Sequence, residues 1–158
     1  MNCKLISMDT SSNSTGVAIF IDGILSRHFL IDLKKIKNTD ERIEEMIKQL
    51  YAIIEEEQPN IIVTEMTVVT RNAQAQRNLT MILGAIYGKC IDKNIWYHSF
   101  RPTEWRSLID TYKKPIGRKR ENYKEWSIDI VKEKYDIVAN DDVCDDILIV
   151  RAYVNKFS

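Results

Sequence analysis

Lys4-Leu-Ile-Ser-Met-Asp-Thr-Ser-Ser-Asn-Ser-Thr-Gly-Val-Ala-Ile-Phe-Ile-Asp-Gly23 is the part of this 158-residue sequence from which the architecture follows. Its first apolar run predicts a buried strand over 4–9 that ends at Asp9. Residues 10–15 are all Ser, Thr or Asn, which is typical of a loop. Gly16 to Gly23 predicts a second strand with a tight turn, and Ile24 to Leu33 a third. Together the three strands form an antiparallel meander.

Helix and strand patterns alternate in the rest of the chain. Apolar residues recur at helical spacing over 40–57, after Thr39 as a candidate N-cap. The β-branched run Ile61-Ile-Val-Thr-Glu65 predicts a central parallel strand. The remaining predicted elements are a helix over 71–92, a strand over 95–100, and helices over 103–109, 121–134 and 142–155. This order predicts an α/β fold in one domain over 1–158, with a mixed five-stranded sheet flanked by helices.

The composition excludes several classes of protein. Lys plus Arg and Asp plus Glu both number 23, so only the distribution of charge can indicate a nucleic-acid partner. The cysteines, Cys3, Cys90 and Cys144, are widely spaced and form no disulfide or zinc framework. The sequence shows no signal peptide and no apolar segment of membrane-spanning length. We therefore expect a cytoplasmic protein without membrane contact.

Four carboxylates stand where the predicted elements would bring them together. Asp9 and Glu65 end two predicted strands, and sites in open α/β sheets lie at the carboxyl ends of strands. Asp142 and Asp145 are three residues apart at the start of the last helix and so share one helix face. Each has an ordinary alternative as a helix cap or a turn residue. Glu65 fits that alternative least, because a carboxylate that closes an apolar strand needs a partner.

Carboxylates crowded into one pocket repel each other unless a cation is present. Mg²⁺ prefers oxygen ligands and accepts substrate phosphate as a further ligand. Two such ions can activate a water and stabilise the leaving oxygen during phosphodiester hydrolysis. The pattern therefore favours two Mg²⁺ ions, with Mn²⁺ as a substitute, held by Asp9, Glu65, Asp142 and Asp145.

These motifs resemble those of the RuvC-like Holliday-junction resolvases of the RNase H-like superfamily. They are the strand ending in Asp9-Thr-Ser-Ser with Thr15-Gly16, the strand ending in Glu65, and Asp142-Val-Cys-Asp145 before an apolar helix. The resemblance runs from Asp9 to about Val154 and is greatest to the short versions carried by phages of Gram-positive hosts, such as lactococcal phages. It implies an RNase H-like fold and a Mg-dependent endodeoxyribonuclease that resolves four-way junctions through two metal ions.

The resemblance also implies roles for single residues. It matches Asp9, Glu65, Asp142 and Asp145 to the family's acidic ligands, and Lys124 and Arg106 to basic positions. The chain departs from the family at Asp146, where Ala is usual, so the choice between Asp145 and Asp146 as the fourth ligand stays open. The position in the family favours Asp145, and with it the prediction that Asp141 and Asp146 are bystanders. It also departs after Glu65, where Met-Thr-Val-Val-Thr replaces an aromatic-containing loop, and this leaves junction-centre contacts and sequence preference open.

Basic residues concentrate in one segment of this neutral chain. The candidate phosphate contacts there are Lys113, Lys114, Arg118, Lys119, Arg120 and Lys124. Arg71 and Arg77, among the polar residues that open the helix predicted over 71–92, are further candidates for DNA contact. The alternative for both groups is ordinary solvated surface.

The expected partners are branched DNA, above all the four-way junction, and a second copy of the chain, since a two-fold substrate suits a homodimer. In the family the helix over 71–92 helps to form the dimer. The candidate interface residues are Met81, Ile82, Ile86 and Tyr87, which core packing explains equally well; Trp105 and Trp126 are predicted as core.

Two other functions stay open at this point. One is a non-catalytic module of the same fold that binds branched DNA. The other is a phosphate-binding fragment like those of actin or the sugar kinases, for which 158 residues is short. If the chain is encoded by a phage, the expected compartment is the cytoplasm of the bacterial host.

Overall fold

A computed structural model describes residues 3–68, 71–109, 114–115, 117 and 119–158. Five strands form one sheet in the order β3-β2-β1-β4-β5. They are β1 (Lys4–Thr10), β2 (Ser14–Ile21), β3 (Ile24–Asp32), β4 (Ile61–Glu65) and β5 (Trp96–Phe100). The first three are antiparallel, whereas β4 runs parallel to both β1 and β5. The predicted mixed five-stranded sheet is confirmed, with β1 at its centre and β4 beside it.

Five helices are described, each within two residues of its predicted bounds. They are α1 (Thr39–Glu57), α2 (Ala73–Lys93), α3 (Pro102–Ser107), α4 (Arg120–Tyr135) and α5 (Asp141–Phe157). The predicted N-cap of α1 was wrong by one residue. Asn38 caps the helix by accepting a hydrogen bond from the Glu41 backbone N–H at 3.1 Å, and asparagine is preferred at this position at least as strongly as threonine.

The loop predicted over 10–15 is shorter than the polar sequence indicated. Thr10 pairs with Thr15 and Ser14 pairs with Asp32, so the meander continues through this segment. Ser11 closes the remaining turn, because its hydroxyl donates to the Ser14 carbonyl oxygen at 2.7 Å and accepts from the Ser14 N–H. Local hydrogen bonds of Ser side chains therefore allow a tighter turn than composition alone indicates.

The sheet has helices on both faces, and strand alternation separates two cores. Ile6, Met8 and Val17 belong to the core that α1 and α2 cover. Leu5 and Ala18 point to the opposite face, where α3, α4 and α5 complete the second core. Trp105 and Trp126 are buried in this second core, as predicted.

The first turns of α5 lie directly against β2. A Cβ at Gly16 would come within 2.4 Å of Asp146 Oδ2 and 2.6 Å of the Asp142 carbonyl oxygen, so only glycine fits here. The Ser7 hydroxyl donates to the Asp146 carbonyl oxygen at 2.9 Å. Small residues on β1 and β2 thus allow the acidic start of α5 to approach the sheet.

None of the described helices has the length and apolar character needed to cross a membrane.

Candidate functional site

The carboxyl ends of β1 and β4 bring Asp9 and Glu65 to the same edge of the sheet. Met8 pairs with Thr64 in the parallel register, so the two acidic residues that follow are neighbours. Both lie on the face that α5 covers, because they continue the alternation of Leu5 and Val63 along their strands. The predicted meeting of these two carboxylates is present in the structure.

The start of α5 is anchored beside them. Asn140 caps the helix by accepting from the Val143 backbone N–H at 3.1 Å. The Ser14 hydroxyl of β2 donates to Asp142 Oδ2 at 3.0 Å, which fixes the Asp142 carboxylate toward the meander. Ile149, two turns further along α5, is fully buried, so this face of the helix points into the protein as predicted.

Asp9 is the centre of the electrostatic cluster. Burial raises the pKa of its carboxyl well above the usual range. The negative charges of Glu65, Asp145 and Asp142 raise that pKa further, and the Arg106 guanidinium opposes them. Asp9 is therefore within electrostatic reach of all three other predicted ligands, which the structure brings together at one site.

Glu65 has the partner that its buried position requires. The Trp105 indole N–H of α3 donates to Glu65 Oε2 at 2.6 Å. Burial raises the pKa of Glu65, while the Trp105 hydrogen bond and the charges of Arg106 and Arg120 lower it. The sequence did not reveal this role of Trp105, because the two residues are 40 positions apart and no spacing rule joins them.

Asp145 points toward α3 and α4 rather than into solvent. Burial raises its pKa to about 7, and Ser127 and Arg106 offset part of the shift. Its Oδ1 atom is buried without a hydrogen-bond partner among the described residues. This carboxylate therefore has a buried oxygen available to a further partner, within electrostatic reach of Glu65.

Asp146 is the acidic residue of α5 that is fully buried. Burial raises its pKa well above the usual range, and the charge of Asp9 raises it further. The Ser7 hydroxyl and the Asp9 backbone N–H lie close enough to offset part of this shift. Neither contact has the geometry of an ordinary hydrogen bond to the carboxyl, so both Asp146 oxygens lack a well-aligned partner among the described residues.

The chemistry of this donor set fits a hard divalent cation. All donors are carboxylate oxygens. A bound ion would give unpartnered buried oxygens such as Asp145 Oδ1 an electrostatic partner. Within the described residues, no three His, Cys, Asp or Glu side chains converge closely enough to hold a metal ion as they stand. Binding one therefore involves rotation of these side chains toward the ion.

A basic and aromatic cleft borders the acidic cluster. Arg106 stacks between Trp105 and Tyr123, with its guanidinium carbon 5.0 and 4.6 Å from the two ring centroids. The cleft has a volume of about 500 Å³ and is lined by Thr103, Arg106, Ser107, Lys114, Arg120 and Tyr123. Three of the predicted DNA-binding residues therefore line one cavity next to Glu65. Tyr123 was missed, because one aromatic residue in an amphipathic helix gives no distinct signal.

The other predicted DNA contacts are distributed around this cleft or lie apart from it. Arg71, Arg77 and Lys119 are exposed, the first two at the start of α2. Lys124 forms an ion pair with Asp141, one of the two aspartates predicted as bystanders. Lys113 and Arg118 lie outside the described residues.

The fold and the acidic cluster together define the class of protein: a mixed α/β sheet of the RNase H-like type, with carboxylates gathered at the ends of its central strands. Solved resolvase structures share this fold. Thermus thermophilus RuvC in complex with a Holliday junction substrate has a TM-score of 0.74 at 10% identity, over 97% of this chain and 93% of that one. The yeast mitochondrial Holliday junction resolvase has a TM-score of 0.63 at 13% identity, over 97% and 78%.

Two curated relatives match in sequence. A crossover junction endodeoxyribonuclease RuvC from Prosthecochloris aestuarii is 30% identical over 94 residues, which are 60% of this chain and 50% of the relative. Another from Pelodictyon phaeoclathratiforme is 28% identical over 69 residues, 44% of this chain and 36% of the relative. The match thus spans half or less of the length of either relative, and no protein-family model matches the chain.

Proposed function

We propose that this protein is a structure-specific endodeoxyribonuclease that resolves four-way DNA junctions. The carrying observation is the cluster of Asp9, Glu65, Asp142 and Asp145 at one edge of the sheet, beside the cleft lined by Arg106. The names of the sequence relatives and the fold of the resolvase structures support the same function.

We assign Asp9, Glu65, Asp142 and Asp145 as ligands for two Mg²⁺ ions, with Mn²⁺ as a substitute. When bound, such ions activate water and stabilise the leaving oxygen of a phosphodiester. The protein's own residues hold the ligands in place: Trp105 orients Glu65, and Ser14 orients Asp142. Arg106 balances the negative charge of the cluster and is placed to contact a phosphate that enters the cleft.

The basic cleft would bind the sugar–phosphate backbone next to the acidic cluster. Arg106, Lys114 and Arg120 line it, and Tyr123 presents an aromatic ring to the same space. Lys119 is at the exposed start of α4, and Lys113 and Arg118 are in the same segment of sequence. We propose these residues, with Lys124, as backbone contacts, and Arg71 and Arg77 as contacts of a second DNA arm.

We propose that two copies assemble through α2. Met81, Tyr87 and Ile91 are exposed apolar residues on this helix, and Gly84 and Gly88 have open space where a Cβ would lie. These five positions form one apolar stripe with room for a second helix to approach. The candidates Ile82 and Ile86 do not belong to it, because they are buried in the core between α2 and the sheet.

The decisive test is cleavage of a synthetic four-way junction with Mg²⁺ or Mn²⁺. Paired, symmetric nicks in the wild type that disappear in Asp9→Asn support a resolvase, and a replication fork and a three-way junction as substrates would define its range. Tight binding without nicks would support the non-catalytic module, and ATP hydrolysis without nicks would support the kinase-like fragment. A lactococcal-phage origin stays a prediction from the resemblance, and a cytoplasmic location stays a prediction from the sequence.

The homodimer has its own test by analytical ultracentrifugation. We expect a dimer in the wild type and a monomer after Tyr87→Asp, with Val138→Asp, which introduces the same charge at an exposed apolar residue outside α2, as the control. A wild-type monomer both free and on DNA would exclude paired nicking by a stable dimer.

A further inference from the structure

Asp146 is the only charged residue that is fully buried in the described part of the chain. Asp146 precedes Ile147 on α5. Its backbone carbonyl oxygen has a partner, because it accepts a hydrogen bond from the Ser7 hydroxyl. The carboxyl has no such partner: neither oxygen makes a hydrogen bond within the described residues. Burying a carboxyl in this state is unfavourable, so its position needs an explanation.

The position of the carboxyl points to the acidic cluster. Oδ2 of Asp146 lies against Gly16, where a Cβ would be only 2.4 Å away. Gly16 is the direct cross-strand partner of Asp9 in the antiparallel register. Residues that face each other across such a pair project to the same side of the sheet, so the two carboxyls of Asp9 and Asp146 share one space.

We propose that Asp146 is a fifth carboxylate of the metal centre and binds the same cation as Asp9. A cation there supplies the partner that both Asp146 oxygens lack, and it also compensates the charge of Asp9. Asp146 and Asp142 are four residues apart on α5, so the same turn of helix brings both to the sheet. The inference adds a ligand to the four that the proposed function names, and it departs from the sequence-based prediction that Asp146 is a bystander.

The rival explanation is purely structural: the side chain of Asp146 fills the space between α5 and β2. The two explanations differ in what Asp146→Ala does to the metal-free protein. If Asp146 is a ligand, its unpaired carboxyl destabilises the metal-free protein. Asp146→Ala should then raise the melting temperature in EDTA, and the increase in melting temperature on adding Mn²⁺ should become smaller. A packing side chain gives the reverse, with a lower melting temperature in EDTA and an unchanged rise with Mn²⁺.

The experiment measures Mn²⁺ affinity by titration calorimetry on the full chain without DNA. Asp146→Asn and Asp146→Ala are compared with Asp141→Asn, which removes the same charge five residues earlier on α5. We expect at least about a tenfold loss of Mn²⁺ affinity in both Asp146 variants and less than about a twofold loss in the control. Asp146→Asn keeps the shape of the side chain, so it remains informative if the Ala variant fails to fold.

Mn²⁺ affinity in folded Asp146→Asn equal to that of Asp141→Asn would overturn the inference. This outcome is distinct from failure of the proposed function, which is read from junction cleavage by the wild type. A wild type that cleaves while Asp146→Asn binds Mn²⁺ normally removes only the fifth ligand. A wild type that binds Mn²⁺ through Asp146 but never nicks DNA removes only the nuclease.

Discussion

The two faces of the sheet use the same strands for different purposes. On the face covered by α1 and α2, β1 contributes Ile6 and Met8, and the core is apolar as far as the strand's end. On the opposite face the same strand contributes Leu5, then Ser7, then Asp9, so it becomes more polar toward its carboxyl end. Strand β4 repeats this change with Val63 and Glu65.

This difference separates stability from chemistry within single strands. The apolar face packs large side chains of the strands against those of α1 and α2. The other face carries Gly16, which has no side chain, and Ser14, whose side chain is small, and both allow α5 to bring its carboxylates close to Asp9. The charge collected there is unfavourable without a cation, as the raised pKa values of Asp9 and Asp145 indicate. Packing on the apolar face therefore offsets the unfavourable free energy of the carboxylates that are gathered on the other face.

The largest expected effect comes from two adjacent residues of β1 that face opposite sides. Asp9→Asn should abolish junction cleavage and leave junction binding intact or stronger, because it removes a metal ligand and a negative charge near the phosphate. Met8→Leu should keep cleavage and cost less than about 1.5 kcal/mol of unfolding free energy, since it conserves volume in the core. Glu65→Gln, Asp142→Asn and Asp145→Asn should behave as Asp9→Asn does. Normal cleavage by all four acidic variants would disprove the assignment of these residues.

A truncation on the apolar face should affect stability only. Leu50 of α1 is fully buried against the sheet, so Leu50→Ala should lower the free energy of unfolding by about 2–5 kcal/mol. Cleavage at a temperature where the variant is folded should match the wild type, because no ligand has moved. Urea denaturation paired with the cleavage assay measures both, and a large loss of activity in the folded variant would show that the two faces are coupled.

The third prediction compares two glycines. Gly16→Ala places a Cβ into Asp146 Oδ2 and the Asp142 backbone, so it should cost about 1–3 kcal/mol and weaken cleavage by displacing α5. Gly84→Ala adds a methyl group where nothing in the same chain lies within 4 Å, so in the monomeric Tyr87→Asp background it should stabilise α2 by about 0.5–1 kcal/mol. Thermal unfolding of both variants checks the contrast. Equal stability would mean that α5 does not rest on Gly16.

The pH dependence of the metal-free protein should report the acidic face. The folded-state pKa of Asp145 is raised to about 7, so the folded protein binds more protons than the unfolded chain between about pH 4 and pH 7. Stability should therefore fall as the pH rises through this window, by about 1 kcal/mol per pH unit for each such group. Denaturation in EDTA at several pH values measures the slope, and Asp145→Asn should reduce it. A stability that rises over this range would contradict the burial of these carboxyls.

Much of this arrangement was predictable because it depends on local patterns. Strand alternation and the positions of Asp9 and Glu65 at strand ends placed two carboxylates at one edge, and helical spacing placed Asp142 and Asp145 on one face. What sequence could not provide were partners joined only by tertiary packing. The Trp105 indole reaches Glu65 from another element, and Asp146 is buried because Gly16 has no side chain. Such contacts depend on the distance between elements, which a linear pattern does not encode.

The smallest expected effect lies at the rim of the acidic face, where Lys124 of α4 pairs with Asp141 of α5. Both side chains are partly exposed, so the pair should contribute only about 0–1 kcal/mol to stability. Lys124 is also a proposed phosphate contact, and its ammonium group cannot bind a phosphate fully while it is paired with a carboxylate. Asp141→Asn should therefore keep most of the cleavage activity and strengthen junction binding severalfold at low salt.

Asp129→Asn, which removes the same charge from an exposed position on α4, is the control. Fluorescence anisotropy across a salt series measures the effect, which should shrink as salt screens the charges. If both variants bind equally, Lys124 lies outside the path of the DNA, and Asp141 serves only to join α4 to α5.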